Sequence, residues 1–356
     1  MRRKTSNVKL TGFTIMRAIA KKEGIGFEVV DAKKPEPKKG EVLVKVNAAS
    51  VCGTDIHIYN NDAPWNTRIT PGRIIGHEFT GVVEAVGEGA DRVKVGDTVA
   101  NESHISCGKC SQCKAGRIHT CLNIKAVGID INGSYAEYVS VPQHVLFKVS
   151  EKIPPHIATL HESCGNSVYT VSAGPVKGKA IAVFGLGPTG LFAIAVARHW
   201  AAEKIIAVGG TKIHLDLAKK VGADVLVDRH KGNVIEQIKE ATAGEGVDVV
   251  LEMAVAQASI EQGLKVLKPG GQMTLLGLPA QKVNVDWSKD IVLKDITIRG
   301  IYGREIPKTW NQMKELFADK KFNLEPIVTH KFKFEDFEKA VQVMKEGNCG
   351  KVVLLP

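Results

Sequence analysis

The feature that most constrains the fold of this chain is a glycine-rich turn between an apolar strand and an apolar helix. The run A-I-A-V-F at 180–184 leads into G-L-G-P-T-G at 185–190, and a helix-compatible apolar segment follows. In this setting the first glycine makes a tight turn, the second admits a pyrophosphate close to the backbone, and the third lets helix and strand pack. The helix N-terminus then favours the phosphates. The predicted cofactor contacts in this turn are Gly185, Gly187, Pro188 and Gly190. The alternative is a glycine turn with only a structural role.

After Ile153 the pattern changes from β-rich to an alternation of strands and helices. Strands are predicted at 204–208, 224–227, 247–252 and 272–278, and helices at 213–221, 233–240 and 258–267. Such alternation is typical of a parallel, doubly wound α/β sheet. We therefore predict a Rossmann dinucleotide-binding domain over 164–305.

The part of the chain before Ile153 is predicted to be a β-rich domain. Short β-prone runs near 27 and at 41–46, 81–87, 97–100 and 136–141 are separated by Gly, Pro and Asp, which favours a barrel or sandwich. We assign residues 1–163 to this domain, with a poorly anchored extension over the first dozen residues. Residues 306–356, with two predicted helices and a final strand, are expected to return to it.

Three side chains with metal-binding chemistry lie within the β-rich part. Cys52, His77 and Glu78 supply a thiolate, an imidazole and a carboxylate, which suit a catalytic zinc that keeps one position open. Glu162, far along the chain, is a candidate for a further ligand from a second loop. The alternative is a buried thiol and a hydrogen-bonded core histidine.

A second metal site is predicted from a run of closely spaced cysteines. The spacing C-x2-C-x2-C-x7-C is typical of a closed, structural zinc site that holds a loop with little core of its own. An iron–sulfur cluster is the alternative. The predicted ligands are Cys107, Cys110, Cys113 and Cys121.

Composition narrows the partners and the compartment. The formal charge of +10 is spread among 38 acidic residues, so we expect a basic solvated surface and no nucleic-acid partner. No window approaches the roughly 18 apolar residues of a membrane span, so no membrane partner is expected. Five of the seven cysteines occur in metal-like settings, which favours a reducing, cytoplasmic location over a disulfide framework.

These motifs together resemble the zinc-dependent medium-chain dehydrogenases over nearly the whole chain. The resemblance implies a GroES-like catalytic domain beside the Rossmann domain and a homo-oligomer, either a dimer or a tetramer. Among these enzymes, those that oxidise L-threonine are the most similar. The residues that carry this likeness are 52–59, 104–110, 116–121, Gly165, Asn166, 300–310 (with Gly303, Arg304, Thr309 and Trp310) and 326–330.

The resemblance implies an alcohol-oxidising enzyme. Zinc would act as a Lewis acid that lowers the pKa of the substrate hydroxyl, and the nicotinamide would accept the hydride. Thr54 matches the relay hydroxyl of the family and His57 the group that passes the proton to solvent, while Asp55 is expected to orient His77. The small-molecule substrate would be L-threonine, with Arg304 and Trp310 marking its pocket. A polyol or sugar dehydrogenase and a non-catalytic nucleotide-binding protein are the alternatives.

The end of the second Rossmann strand lacks the acidic residue typical of NAD-binding proteins. Gly209 occupies that position, and the residues after it offer a hydroxyl, a cation and an imidazole. We therefore predict that NADP is preferred to NAD; the alternative is weakened NAD binding without selection of a phosphate. The predicted contacts are Gly209, Gly210, Thr211, Lys212 and His214.

Overall fold

The computed structural model describes residues 14–279 and 281–356. The first dozen residues, for which a poorly anchored extension is predicted, lie outside this range. Two large sheets organise the described residues, one of seven strands and one of six. None of the helices in the described ranges is long and apolar enough to cross a membrane.

The first half of the chain is β-rich, as predicted. Its central strand, β3, pairs antiparallel with β4 and β8, and β5 and β9 extend the sheet beyond β4. The strands are β1 Ile15–Lys21, β2 Phe27–Lys33, β3 Glu41–Val51, β4 Phe79–Val86, β5 Thr98–Asn101, β6 His104–Ile105, β7 Lys125–Ala126, β8 Tyr138–Pro142 and β9 Leu146–Lys148. The helices are α1 Gly53–Asn60, α2 Trp65–Arg68, α3 Ser111–Lys114 and α4 Pro155–Ala158.

The second half contains the predicted parallel sheet. Its order is β12-β11-β10-β13-β14-β15, and every pair is parallel. The central strands are buried on both faces, which explains their uninterrupted apolar sequences. The strands are β10 Ala180–Phe184, β11 Lys204–Gly209, β12 Val225–Asp228, β13 Val247–Glu252, β14 Leu267–Leu275 and β15 Thr297–Gly300. The helices are α5 His161–Ser172, α6 Pro188–His199, α7 Lys212–Lys220, α8 Val234–Ala241 and α9 Gln257–Val266.

The C-terminal residues join the first sheet through their strands. The final strand pairs antiparallel with β3, and its neighbour pairs with it in parallel. These elements are α10 Lys308–Ala318, β16 Val328–Lys333, α11 Phe337–Glu346 and β17 Lys351–Leu355. Helix α10 instead packs into the core around α5 and α6, through Trp310, Met313 and Leu316.

Two helices near the candidate active site are absent from the sequence prediction. Helix α5 contains Gly, Asn, Ser, Thr and Val, residues of modest helix propensity. Most of its side chains are buried between the two halves of the molecule, so tertiary packing stabilises it. Helix α1 has eight residues and begins with Gly53. Neither helix has an amphipathic pattern long enough to be predicted from sequence.

Candidate active site

Cys52 lies where the central strand β3 ends and α1 begins. It is the N-cap residue of α1, and its backbone N–H donates to Asp55 Oδ2 at 2.9 Å. The same carboxylate oxygen accepts a hydrogen bond from the Tyr135 hydroxyl at 2.7 Å. Both contacts fix the first turn of the helix, so the direction of the Cys52 thiol is set by the backbone and not by a flexible loop.

His77 and Glu78 lie immediately before β4, between two fixed points. The Asn101 side chain accepts from Phe79 N at 2.7 Å and donates to His77 O at 2.8 Å. On the other side Gly76 has φ +91°, and a Cβ there would lie 2.2 Å from the Tyr135 ring. Only glycine satisfies both conditions, so this turn presents His77 and Glu78 to Cys52 in one orientation.

The ligand atoms of Cys52, His77 and Glu78 lie within 4.8 Å of one another. His77 Nδ1 is 3.4 Å from Asp55 Oδ1, which leaves Nε2 as the nitrogen for a metal. Glu78 Oε1 is buried without a hydrogen-bond partner among the described residues. One thiolate, one imidazole and one carboxylate with unused lone pairs fit a zinc ion.

A buried carboxylate, that of Asp55, faces the imidazole of His77. Burial disfavours the imidazolium, but the Asp55 carboxylate outweighs that effect and raises the pKa of His77 well above its ordinary value. Burial alone would raise the pKa of Asp55, but its contact with His77 outweighs burial and lowers that pKa. Asp55 is therefore an anionic acceptor that holds the His77 ring in place, as predicted for the group that orients this histidine.

The second carboxylate oxygen of Glu78 has two partners that the sequence analysis missed. Lys351 Nζ lies 2.6 Å from Oε2, and the Ser50 hydroxyl donates to the same atom. Both the lysine and the glutamate are buried. Burial alone would lower the pKa of Lys351, but Glu78 outweighs it and raises that pKa. Lys351 begins the last strand, and only the pairing of β17 with β3 brings it here.

Glu162, the predicted ligand from a second loop, is not part of the group of three. Its Oε1 lies 2.7 Å from Arg304 Nη2 and accepts from the Ser103 hydroxyl at 2.5 Å. Arg304 also donates to both carboxylate oxygens of Glu102. Both contacts of Glu162 involve Oε1, and its part as a metal ligand stays a prediction.

Arg304 and Trp310, expected to mark a substrate pocket, are buried. The Arg304 side chain is 0% exposed and is neutralised by two carboxylates. Trp310 stacks on Phe147 with ring centroids 4.0 Å apart, and its Nε1 donates to Glu102 Oε2 at 3.2 Å. Both residues therefore organise the interior beside Glu162 and do not line an open surface. Glu102 lies in a polar run that follows β5, N-E-S-H, which was the signal available for finding it.

Helix α1 carries both predicted proton-relay residues. Thr54 is half-buried in its first turn, two residues after Cys52. His57 is 63% exposed, and its Nδ1 lies 2.9 Å from Asp62 Oδ2. One helix thus runs from the metal-ligand group to solvent.

The four cysteines of the predicted structural zinc site converge, with all Sγ atoms within 4.8 Å of one another. Cys110 Sγ is 3.6 Å from Cys113 Sγ and 3.9 Å from Cys121 Sγ. A tetrahedral site with metal–sulfur bonds of about 2.3 Å has edges of about 3.8 Å. The Lys109 backbone N–H, the Asn123 side chain and the Cys110 backbone N–H lower the pKa of the Cys107 thiol to about 6. Burial and the neighbouring thiols raise the pKa of Cys113 to about 12, so it is the convergence of the four sulfurs that fits a closed zinc shell.

The glycine turn of the nucleotide sheet has the shape that the motif requires. Gly185 has φ +90°, and a Cβ on Gly190 would lie 1.9 Å from Gly185 O. Gly187 is the N-cap of α6 without a side-chain cap, and the space where its Cβ would lie is open. Pro188 is the first residue of the helix. A phosphate group fits there because the N–H groups at the start of α6 have no side-chain cap and the space beside Gly187 is open.

The predicted cofactor contacts after β11 have partners within the protein, and their role toward a cofactor stays a prediction. Lys212 Nζ pairs with Asp216 Oδ2 at 2.6 Å on the exposed side of α7. His214 Nδ1 shares a hydrogen bond of 2.7 Å with the Thr211 hydroxyl. The other ring nitrogen, Nε2, lies 2.8 Å from Cys349 O. Gly209 and Gly210 leave the end of the strand without a side chain. The lysine is thus already neutralised in part, and the imidazole is engaged with other protein groups.

Comparisons with known proteins agree with this architecture. The family model of the alcohol dehydrogenase GroES-like domain matches residues 38–151, and that of the zinc-binding dehydrogenases matches residues 188–319. L-threonine 3-dehydrogenase of Pyrococcus horikoshii is 44% identical over 342 residues, 96% of this chain and 98% of that protein. The enzyme of the same name from Bacillus subtilis is 42% identical over 96% of this chain and 99% of its own length.

A solved structure gives the same result for the fold. A zinc-binding dehydrogenase of Sinorhizobium meliloti 1021 bound to NADP has a TM-score of 0.89 and 28% identity, covering 96% of this chain and 100% of that one. Sequence and structure agree over both halves of the molecule. The chain is therefore an oxidoreductase that belongs to the zinc-dependent medium-chain dehydrogenase family, with the GroES-like and zinc-binding dehydrogenase domains of that family.

Proposed function

We propose that this enzyme oxidises L-threonine at its β-carbon to 2-amino-3-oxobutanoate and prefers NADP as the hydride acceptor. The observation that carries the chemistry is the group of Cys52, His77 and Glu78, whose ligand atoms lie within 4.8 Å of one another and whose imidazole is oriented by a buried carboxylate. The substrate is proposed from the 44% identity to L-threonine 3-dehydrogenase over 96% of the chain.

Cys52, His77 and Glu78 would hold the catalytic zinc, and Cys107, Cys110, Cys113 and Cys121 the structural zinc. When bound, the catalytic ion would supply Lewis-acid assistance to ionisation of the substrate hydroxyl, and the nicotinamide would accept the hydride. The Lys351 ammonium holds one oxygen of Glu78 at 2.6 Å and leaves the other free as a ligand.

The proton released by the substrate needs a path to water. Thr54 accepts it within the site, and His57, which is exposed and paired with Asp62, passes it to solvent. Glu162, held at Oε1 by Arg304 and Ser103, is kept as the candidate for a further metal ligand from a second element.

The decisive experiment is a substrate panel with both cofactors. L-threonine, L-serine, a simple secondary alcohol, sorbitol and galactitol are each assayed with NADP and with NAD. We expect the highest kcat/KM for L-threonine, because a site built for polar groups rejects ligands that leave those groups unpaired. A higher kcat/KM for a polyol would contradict threonine as the substrate and favour a polyol dehydrogenase. Absence of turnover with every alcohol would favour a nucleotide-binding protein without catalytic activity.

The role of the three metal ligands is tested with matched cysteine variants. Cys52→Ser should lose most activity and about one zinc per chain while it retains its fold, because a catalytic site contributes less to folding than a closed one. Cys349→Ala, a buried cysteine that is not part of either thiol group, should keep both zinc ions and most of the activity. Full activity of a zinc-depleted Cys52→Ser protein would contradict the mechanism.

A further inference from the structure

The loop after β12 packs against the end of β11, where the adenosine ribose is expected to bind. In the parallel register Gly209 lies opposite Asp228, and Arg229 N donates to Gly209 O at 2.8 Å. A Cβ on Gly210 would lie 2.5 Å from Arg229 Nε and 2.7 Å from His230 Nε2. Both side chains therefore lie directly over Gly210, the residue after the glycine that replaces the usual acidic residue.

Two of the cations near the ends of β11 and β12 are paired with carboxylates. Lys212 is paired with Asp216 at 2.6 Å, and Lys231 lies 3.5 Å from Asp228. Asp228 also accepts from His230 N at 3.0 Å.

Arg229 has no carboxylate partner among the described residues. Its Nε donates to the His230 ring nitrogen at 3.4 Å, and the side chain is exposed. The guanidinium is thus a cation without an anion at the carboxyl end of two adjacent parallel strands.

We propose that Arg229 and His230, from the loop between β12 and α8, form the binding site for the 2′-phosphate of NADP. This inference rests on the proposed NADP preference and names the side chains that produce it. The guanidinium presents a planar set of donors that matches a phosphate, and it lies close to the backbone of Gly210, next to the strand end where the acidic side chain is missing. The carboxyl ends of β11 and β12 are also the edge of such sheets where nucleotides bind.

This assignment differs from the expectation based on sequence order. That expectation placed the selecting cation at Lys212, three residues after Gly209, in a stretch that contains no arginine. The structure supplies an arginine from the next strand-to-helix loop instead. Lys212 is a weaker candidate because its side chain is 88% exposed and already paired with Asp216.

The test is calorimetric titration of the protein with adenosine 2′,5′-bisphosphate and with adenosine 5′-monophosphate, which differ only in the 2′-phosphate. We expect the wild type to bind the bisphosphate more tightly. Arg229→Gln should weaken bisphosphate binding roughly tenfold, the loss of one charge-assisted contact, and leave monophosphate binding unchanged. Arg229→Lys should give an intermediate loss, because the charge remains without the planar donors.

Lys231→Ala is the matched control, since it removes a cation from the same loop that is paired with Asp228. It should retain the preference for the bisphosphate. If Arg229→Gln keeps the wild-type preference, or if Lys231→Ala loses it equally, the assignment to Arg229 is overturned while the cofactor proposal stands. If the wild type shows no excess affinity for the bisphosphate, the NADP proposal itself fails. Turnover of L-threonine with NAD tests the dehydrogenase proposal separately.

Discussion

Arg304 shows how a single side chain sets the charges beside the candidate active site. It lies between the carboxylates of Glu102 and Glu162, and it also donates to Glu162 O at 2.7 Å and to Asn166 Oδ1 at 3.0 Å. A buried ion group of this kind gains little net stability over apolar packing, but loss of Arg304 would leave two buried carboxylates without their cation. Its main consequence is that one oxygen of Glu162 is held in place by Arg304 and Ser103.

We predict that Glu102→Gln is strongly destabilising at neutral pH. Burial alone would raise the pKa of Glu102, but Arg304 outweighs it and holds that pKa well below its ordinary value. The variant weakens two charge-assisted hydrogen bonds from Arg304, each of which contributes about 1.5–3 kcal/mol, while Glu162 still balances the charge of Arg304. Because a lowered folded-state pKa stabilises the protein above the unfolded pKa of about 4.3, the difference between wild type and variant should narrow as the pH falls below that value. Denaturant unfolding at several pH values measures it.

The matched control for this prediction is Glu88→Gln. Glu88 also pairs with a cation, Lys39, but both side chains are more than three-quarters exposed (77% and 78%). Its loss should change the free energy of unfolding by less than about 1 kcal/mol. Equal effects of the two substitutions would contradict the account of Arg304.

We predict that Tyr135→Phe weakens zinc binding at the catalytic site while leaving the fold intact. The hydroxyl donates to Asp55 at 2.7 Å, and Asp55 faces His77. Loss of such an outer contact typically lowers metal affinity roughly 10- to 100-fold. Competition with a chromophoric chelator gives the affinity, and Tyr138→Phe, a tyrosine on β8 that packs on Lys34, is the control. Unchanged zinc affinity would remove Tyr135 from the support of His77.

At the scale of elements, the segment between β6 and β7 depends on its cysteines. These two strands have two residues each, and the segment between them contains only the four-residue α3 and a short 3₁₀ turn. Backbone N–H groups of Cys107, Leu122 and Asn123 donate to cysteine sulfurs at 3.3–3.4 Å. The chain is therefore wrapped around the sulfur atoms and not around an apolar core.

We predict that Cys113→Ser lowers thermal stability before it affects chemistry. Three thiolates cannot close the shell around the zinc ion, so metal binding no longer stabilises the folded segment. The free energy of unfolding should fall by several kcal/mol, as an order of magnitude. Tm and zinc content are the measurements, and the expected zinc loss is one ion per chain. Cys349→Ser, at a buried cysteine outside both metal-ligand groups, serves as the control. A variant with wild-type Tm and full zinc content would contradict the structural-zinc interpretation.

At the scale of the whole molecule, the nucleotide sheet ends in an unpaired strand beside exposed apolar side chains. β15 pairs only with β14 among the described strands. Trp287, Val292 and Leu293, which precede it, are 65%, 60% and 78% exposed. An open strand edge next to such a patch is a surface that a second copy can cover, which supports the prediction of a homo-oligomer.

We predict that Leu293→Glu shifts the protein towards smaller species. A charge in an apolar contact between copies must be desolvated without a partner, which disfavours association. Light scattering coupled to size exclusion gives the mass, and Ile25→Glu, at a 68% exposed position on the opposite half of the chain, is the control. A monomeric wild type, or an unchanged mass of Leu293→Glu, would contradict the prediction.

The sequence by itself determined the features that depend on neighbouring residues. The order of strands and helices in the nucleotide sheet follows from hydrophobic runs, and the glycine turn at 185–190 follows from conformations that only glycine adopts. The spacing of the four cysteines and the adjacent pair His77 and Glu78 was equally informative. In each case the physical cause acts within a few residues of the chain.

Only the tertiary structure decided which distant side chains meet. Lys351 reaches Glu78 because β17 pairs with β3, and Arg304 meets Glu102 and Glu162 because α10 packs against α5. Arg229 covers Gly210 through the register of two parallel strands. No spacing along the chain encodes these contacts, since each results from the packing of whole elements, and buried charges then select partners from whatever that packing brings close.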